Sequence, residues 1–226
     1  MCGRFNIVDD AAMRALLDSL NLTTRLATQV NIAPTETVPV VVREPAGHQI
    51  HGMRWWLTPS WAPEISNQYS MFNARAESLE KSRAFRGPYR HHRGIIPASS
   101  FLEWRQSEHG GKQPYLVRPE TGCFVFAALW DVWQKQGSYL ESCTIVTTQA
   151  VAGLRWLHDR MPLLLDAQDI NPWLDPSTDL ATIDRIRTKV SSANFCAYPV
   201  SSDLNNSRHK LFELLEPIDD PIEIKH

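Results

Sequence analysis

The sequence predicts an α+β fold, a single domain over residues 1–226 in which a central mixed, barrel-like β-sheet is flanked by short helices. Three observations carry this expectation. β-Branched and aromatic runs crowd the middle of the chain, helical periodicity is confined to its two ends, and the two patterns do not alternate as a doubly wound sheet would require. Of 226 residues, 43% are hydrophobic and 21% charged, which is enough apolar surface for a sizeable core and unlike a disordered chain.

Taken in order, Asp9 or Asp10 caps a first helix in which Met13, Leu16, Leu17 and Leu20 recur at i, i+3, i+4 and i+7, and the stretch 21–28 breaks the pattern. Strand-like runs follow at 38–43, 49–56, 113–117, 123–133 and 142–148. They are separated by the turn signals Pro45-Ala46-Gly47, Gly110-Gly111 and Gln136-Gly137. Residues 151–157, 166–174 and 178–189 read as short helices with Ser or Asp caps, and Pro172 lies near a helix break. The acid-rich tail 211–226 reads as a solvated, partly frayed end. No internal repeat or long linker divides the chain.

Composition removes several classes of function. With 23 basic and 25 acidic residues the net charge is -2, so no global field draws the chain to nucleic acid or membrane, and any phosphate contact must come from a local patch. The longest apolar run, 123–130, is far short of the roughly 18 residues that span a bilayer. The N-terminus has no charged stretch followed by an apolar region, which predicts a cytoplasmic protein. Four cysteines show no C-x-x-C spacing, and Cys123, Cys143 and Cys196 read as small buried hydrophobes in a reducing compartment. H-E-x-x-H, G-x-S-x-G, Walker, G-x-G-x-x-G and EF-hand patterns are all absent. His91-His92 and His48-x-x-His51 lack Cys or carboxylate neighbours at metal-ligand spacing and read as surface or strand histidines; neither a metal nor another cofactor is expected.

Cys2 stands apart. If the initiator Met1 is removed, as a small second residue generally permits, Cys2 carries a free α-amine beside its thiol. With pKa values of ~7.7–8.0 for the amine and ~8.5 for the thiol, both are partly nucleophilic at neutral pH. Such a 1,2-aminothiol captures an aldehyde: the amine condenses to an imine, and the thiolate adds to the imine carbon to close a five-membered thiazolidine. A cysteine at position 2 is weak evidence alone, so the surrounding residues decide.

Seven short blocks occur in order along most of the chain: Met1-Cys2-Gly3-Arg4-Phe5, Asn31-Ile32-Ala33-Pro34-Thr35, Pro59-Ser60-Trp61-Ala62, Asn73-Ala74-Arg75-Ala76-Glu77, Phe101-Leu102-Glu103-Trp104, His158-Asp159-Arg160-Met161-Pro162 and Tyr198-Pro199-Val200-Ser201. On these blocks the chain resembles the SOS-response-associated peptidase family, whose members shield abasic sites in single-stranded DNA by covalent crosslinking. Trp56 and Leu102 depart from the pattern, standing where many members have Gly and an aromatic residue. The resemblance implies that Cys2 is the nucleophile, that Asn73, Glu103 and His158 surround the captured sugar, and that the partner is single-stranded DNA containing abasic sites.

Each of these residues also has a physical job. An abasic deoxyribose sits mostly as a closed ring and must open before an amine attacks. Glu103 lies between Phe101 and Trp104, an apolar setting that raises a carboxyl pKa and suits general acid work on the ring oxygen. Read without the resemblance, it is first a half-exposed strand glutamate. His158 can exchange protons with the imine and the leaving hydroxyl, or be a helix-terminal histidine paired with Asp159. Asn73 can donate and accept at once, orienting the sugar or the Cys2 amine, or be a loop or cap residue.

DNA contact is expected from Arg4, Arg75 and the stretch 82–93, where Arg83, Arg86, Arg90 and Arg93 alternate with Phe85 and Tyr89 and no acid intervenes. Arginines hold phosphates and aromatics stack on bases, although a basic solvated face would look alike. Trp61 is a candidate wedge beside the gap, while Trp55, Trp130 and Trp133 read as core. The expected function is thiazolidine formation between Cys2 and an abasic aldehyde, with lyase-type Schiff-base cleavage as a branch that ring closure suppresses. Two other readings stay open: a Cys-dependent peptidase with Cys2 as nucleophile and His158 as base, in its mildest form self-processing at Met1, and a non-covalent single-strand-binding module.

Overall fold

The two-residue periodicity of the mid-chain runs is satisfied by two sheets, seen in a computed structural model that describes residues 2–106, 110–191 and 193–224. Strand β1 (Arg4–Ile7), helix α1 (Ala11–Ser19) and strand β2 (Gln29–Ile32) come first. Of the two candidate caps, Asp10 takes the role: its carboxylate accepts from the Met13 N–H at 2.8 Å, while Asp9 pairs with Arg14. Strands β3 (Thr37–Glu44) and β4 (Gly47–Trp55) form a hairpin, and a long loop leads to the short β5 (Asn73–Arg75) and helix α2 (Arg86–His91). Five strands follow: β6 (Arg93–Ala98), β7 (Ser100–Gln106), β8 (Lys112–Pro119), β9 (Phe124–Lys135) and β10 (Ser138–Gln149). The β9–β10 turn places Gln136 and Gly137 both at positive φ, +50° and +80°, the geometry that matches the twist of a two-residue hairpin. Last come β11 (Arg160–Pro162), helices α3 (Ala167–Leu174) and α4 (Leu180–Thr188), and strands β12 (Phe195–Pro199) and β13 (Ile222–Ile224).

Strand β10 closes the structure. It pairs antiparallel with β9 on one side and parallel with β4 on the other, so that β10, β4, β3, β6 and β9 form a closed five-strand mixed barrel. Strands β5 and β11 extend the far end of β10. The second sheet is antiparallel, in the order β13-β12-β8-β7-β1-β2. One apolar cluster joins the sheets: Phe5 on β1 meets Trp55 and Phe126 of the barrel edge-to-face, with ring centroids 5.1 and 5.9 Å apart. Burial of these rings seats the start of the chain against the barrel.

Several expectations are corrected. Residues 151–157 form one 3-10 turn, Ala152–Leu154, because the buried Val151, Leu154 and Leu157 recur every three residues rather than at α-helical spacing. The tail is not simply a frayed end: β13 pairs with β12, and Leu215 and Ile224 are buried while the acids stay outside; residues 225 and 226 lie outside the described residues. Cys143 and Cys196 are buried, but Cys123 only partly. Trp130 is half-buried, stacked on His92 at 4.5 Å. His51 does acquire carboxylate neighbours, Glu44 and Glu141, from positions that only the fold brings to it. Among the described residues no group of His, Cys, Asp or Glu is arranged to hold a metal, and no helix is long and apolar enough to cross a membrane.

The basic stretch divides in two. Arg83, Arg86 and Arg90 are exposed, whereas Tyr89 is in the core with its hydroxyl donating to Asp184. Arg93 is likewise buried, its guanidinium donating to the carbonyls of Tyr89, Arg90, Trp173 and Asp175 at 2.6–2.9 Å, so it holds α2 to α3 instead of a phosphate. Removing a buried charged donor strands its acceptors. Arg93→Met is therefore expected to lose about 2–4 kcal/mol in denaturant unfolding; a loss below about 0.5 kcal/mol would mean that the guanidinium faces solvent.

Candidate active site

Strand pairing brings the start of the chain to the residues that matter. Strand β1 pairs with β7, placing Arg4 opposite Leu102, and β5 pairs with β10, placing Asn73 opposite Ile145. Cys2, just before β1, is completely buried. Its carbonyl accepts a hydrogen bond from Asn73 Nδ2 at 2.7 Å, and its Sγ lies 3.7 Å from the Arg4 carbonyl. Asn73 is thus a buried strand residue rather than a loop or cap. Met1, whose loss the aminothiol requires, lies outside the described residues.

On β7, Phe101 packs in the main core and Leu102 in a second apolar cluster on the opposite face. Two-residue alternation then turns Glu103 to the Phe101 side, where it is 3% exposed rather than half-exposed. Burial pushes its carboxyl up to about 7. Burial, followed by the nearby Glu103 carboxylate, pushes the Cys2 thiol above its ordinary range. Both act against ionisation of the thiol while it is buried.

His158 lies in the loop between the 3-10 turn and β11, where its Nδ1 accepts from the Arg160 N–H at 2.9 Å. That bond needs a lone pair on Nδ1 and so puts the proton of the neutral ring on Nε2. Burial lowers the His158 pKa, which favours the neutral form. Glu103 and His158 line one open cleft of about 700 Å³, together with Gly3, Arg4, Trp104, Lys112 and Asn205.

Arg4 spans the cleft wall. Its Nη1 donates to Asn31 Oδ1 at 2.8 Å and to the Leu204 carbonyl at 3.3 Å, and its guanidinium lies 5.6 Å from the Trp104 ring. Asn31, fully buried at φ +54°, donates in turn to the carbonyls of Leu204, Asn206 and His209, tying the 204–209 segment to the site. The sequence gives Trp104 a part only in the apolar setting of Glu103, and assigns no role to Asn31, Lys112 or Asn205. Asn31 carried the one usable signal, since asparagine tolerates the left-handed region far better than most residues.

Cys2 and Asn73 are buried and do not themselves line the cleft, and the remaining candidates also lie outside its lining. Arg75 is exposed on β5, two residues beyond Asn73, and Arg86 is exposed at the start of α2. Trp61 is 45% exposed, and the Arg83 guanidinium lies over its ring at 4.1 Å, a cation–π pair at the surface. The fold thus gathers Cys2, Asn73, Glu103, His158 and Arg4 at one place and presents the Trp61–Arg83 pair separately.

The buried Glu103 carboxyl has a consequence for stability. Its pKa is about 4.5 unfolded and about 7 folded, so the ionised group costs nothing below 4.5, progressively more up to 7, and the full amount above. That amount is on the order of 3 kcal/mol. Glu103→Gln is expected to stabilise the protein at about pH 8 by up to that order and to do little at about pH 4, measured as paired denaturant titrations. Equal stability of the two proteins at the higher pH would place the carboxylate in water.

The sequence model of a family described as SOS response associated peptidase (SRAP) matches residues 1–207. The chain is 32% identical over 222 residues to the abasic site processing protein YoqW of Bacillus subtilis, covering 96% of this chain and 99% of that one. It is 30% identical over 193 residues to the abasic site processing protein HMCES of Gallus gallus, covering 74% of this chain and 57% of that longer one. In fold it matches the crystal structure of a Bacteroides thetaiotaomicron protein with a TM-score of 0.79 at 21% identity, covering 96% of this chain and 99% of that one.

Proposed function

Because this chain belongs to the SOS response associated peptidase (SRAP) family, we propose that it processes abasic sites in single-stranded DNA, capturing the sugar aldehyde as a thiazolidine on Cys2 once Met1 is removed. The observation that carries this reading is that Cys2, held through its carbonyl by Asn73, is buried next to Glu103 and one residue before Gly3, which lines an open cleft together with that carboxyl of near-neutral pKa and a neutral histidine.

Glu103 gives its proton to the ring oxygen as the C1–O4 bond breaks, and the anomeric hydroxyl loses its own proton to solvent as it becomes the aldehyde carbonyl. The Cys2 amine adds to that carbon. His158 Nε2–H donates a hydrogen bond to the departing hydroxyl, which takes the proton shed by the carbinolamine nitrogen; water leaves and an imine remains. Glu103, now a carboxylate, takes the thiol proton and passes it to the nitrogen as the sulfur adds to the imine carbon. Aldehyde and aminothiol combine with loss of one water and no change of oxidation state. Arg4 and Arg75 face the phosphates, and Trp61 with Arg83 and Arg86 engages the flanking strand.

The test mixes the chain beginning at Cys2 with a single-stranded oligonucleotide bearing one abasic site and resolves the product on a denaturing gel. A heat-stable shift is expected, lost in Cys2→Ala, and slower on a fully paired duplex at the same salt concentration, because stacking on an aromatic needs unpaired bases. No shift under any condition, with binding intact, would leave only a non-covalent binding module.

A further inference from the structure

An exposed tryptophan on a loop is normally free to reorient, yet the loop carrying Trp61 is held on both sides. The Ser60 N–H donates to Asp131 Oδ2 at 2.8 Å, and the Ala62 carbonyl accepts from Trp133 Nε1 at 2.9 Å. Asp131 and Trp133 stand two apart on β9, so strand alternation turns both to the same side, where they grip the residues immediately before and after Trp61. A third bond, from the Thr58 N–H to the buried Ser142 Oγ at 2.8 Å, fixes the start of the loop.

The same stretch of β9 also holds the far end of the segment that carries Arg83, the partner of Trp61. The Trp130 N–H donates to the His92 carbonyl at 3.0 Å, and the His92 ring stacks on Trp130. His92 Nδ1 lies 3.7 Å from Asp131 Oδ1, and α2, which His92 ends, begins three residues after Arg83. Asp131 is 6% exposed. Burial pushes its carboxyl up, but His92 and the Ser60 and Val132 N–H groups together hold it below its ordinary range. A carboxylate taken out of water is costly to keep unless its bonds are needed where they are.

We propose that Asp131, assisted by Trp133, is a positioning residue that holds Trp61 and Arg83 in register as a preformed stacking platform for the base beside the lesion. This rests on the reading that Trp61 engages DNA. Loop order fixed before binding removes a cost that association would otherwise bear.

The test measures non-covalent binding to a single-stranded oligonucleotide carrying a tetrahydrofuran abasic analogue, which lacks the anomeric hydroxyl and cannot react, so that failure of crosslinking chemistry does not affect the result. At one fixed salt concentration, Trp61→Ala and Asp131→Ala are each expected to weaken binding by roughly 5- to 100-fold, the range of one base–aromatic stack. The double variant is expected to be no weaker than Trp61→Ala alone. In single-turnover crosslinking to the true abasic strand, Asp131→Ala is expected to shift the half-saturating DNA concentration much more than the maximal rate, a split that general destabilisation would not give. If Asp131→Ala fails to fold, Trp133→Phe decides, since it leaves a smaller aromatic ring in place and removes the N–H bonded to Ala62; several-fold weaker binding that vanishes in the Trp61→Ala background is expected. Unchanged affinity in the folded variants, or losses that add to those of Trp61→Ala, would overturn the proposal. If Trp61→Ala itself binds as well as the natural chain, the platform and the DNA reading of Trp61 fall together.

Discussion

The chain beginning at Cys2 is expected to form a heat-stable adduct with an abasic strand, and the chain that keeps Met1, or carries an uncleaved N-terminal tag, is expected to form none. While Met1 is attached, the Cys2 nitrogen is an amide whose lone pair is delocalised into the carbonyl, so it cannot condense with an aldehyde. The thiol alone gives only a labile hemithioacetal, and in this fold it is also buried, which acts against its ionisation. Intact-mass spectrometry establishes the N-terminal state before the assay, and the adduct should persist without reductant. Processed Cys2→Ser keeps the amine and loses the sulfur, so it is expected to form a reversible imine trapped only by added borohydride. An identical heat-stable product from Met1-retaining protein would exclude the thiazolidine and point to a lysine imine or to thiol chemistry of the peptidase kind.

Glu103→Gln is expected to slow adduct formation by about 10²–10⁴-fold at neutral pH while changing DNA affinity little, since the amide keeps the shape of the side chain but has no proton to deliver. With a carboxyl pKa of about 7, the acid form falls away above neutrality, so the ring-opening contribution in the natural protein should decline as pH rises through 7. The variant should lose that limb of the profile. The same substitution stabilises the fold at alkaline pH, and the pairing of a large rate loss with a stability gain marks a group kept in an unfavourable environment for chemistry. A normal single-turnover rate with reduced affinity would make Glu103 a contact for the strand and not an acid.

Local pattern was enough for a good part of the fold. The cap of α1, the β3–β4 and β9–β10 hairpins and four of the five barrel strands were legible because capping residues, turn glycines and β-branched runs act over a few positions. Strand β6 was missed because it is buried along its whole length and carries Pro97, leaving no alternation to read. Strand β7 was read only at Glu103 and its bounds were not, because Phe101 and Leu102 face two different apolar clusters, which hides its period. In the basic stretch 82–93, identical residue types met opposite fates: Arg83, Arg86 and Arg90 face solvent while Arg93 is sealed under α3.

The sequence by itself determined the chemical inventory: a potential aminothiol at one end, a carboxyl flanked by apolar residues, a histidine and an asparagine, and no spacing that suits a metal or nucleotide. Only the tertiary structure decided which of those groups are dry and which meet. Asn73 reaches Cys2 across 71 residues, Asp131 reaches Ser60 across 71, and Arg4 reaches Leu204 across 200. Burial is what lifts the Glu103 carboxyl toward neutrality and acts against ionisation of the Cys2 thiol, and burial is set by strands that neighbour one another only after the barrel closes. A pKa is a property of surroundings, and the surroundings of each group at this site come from elsewhere in the chain.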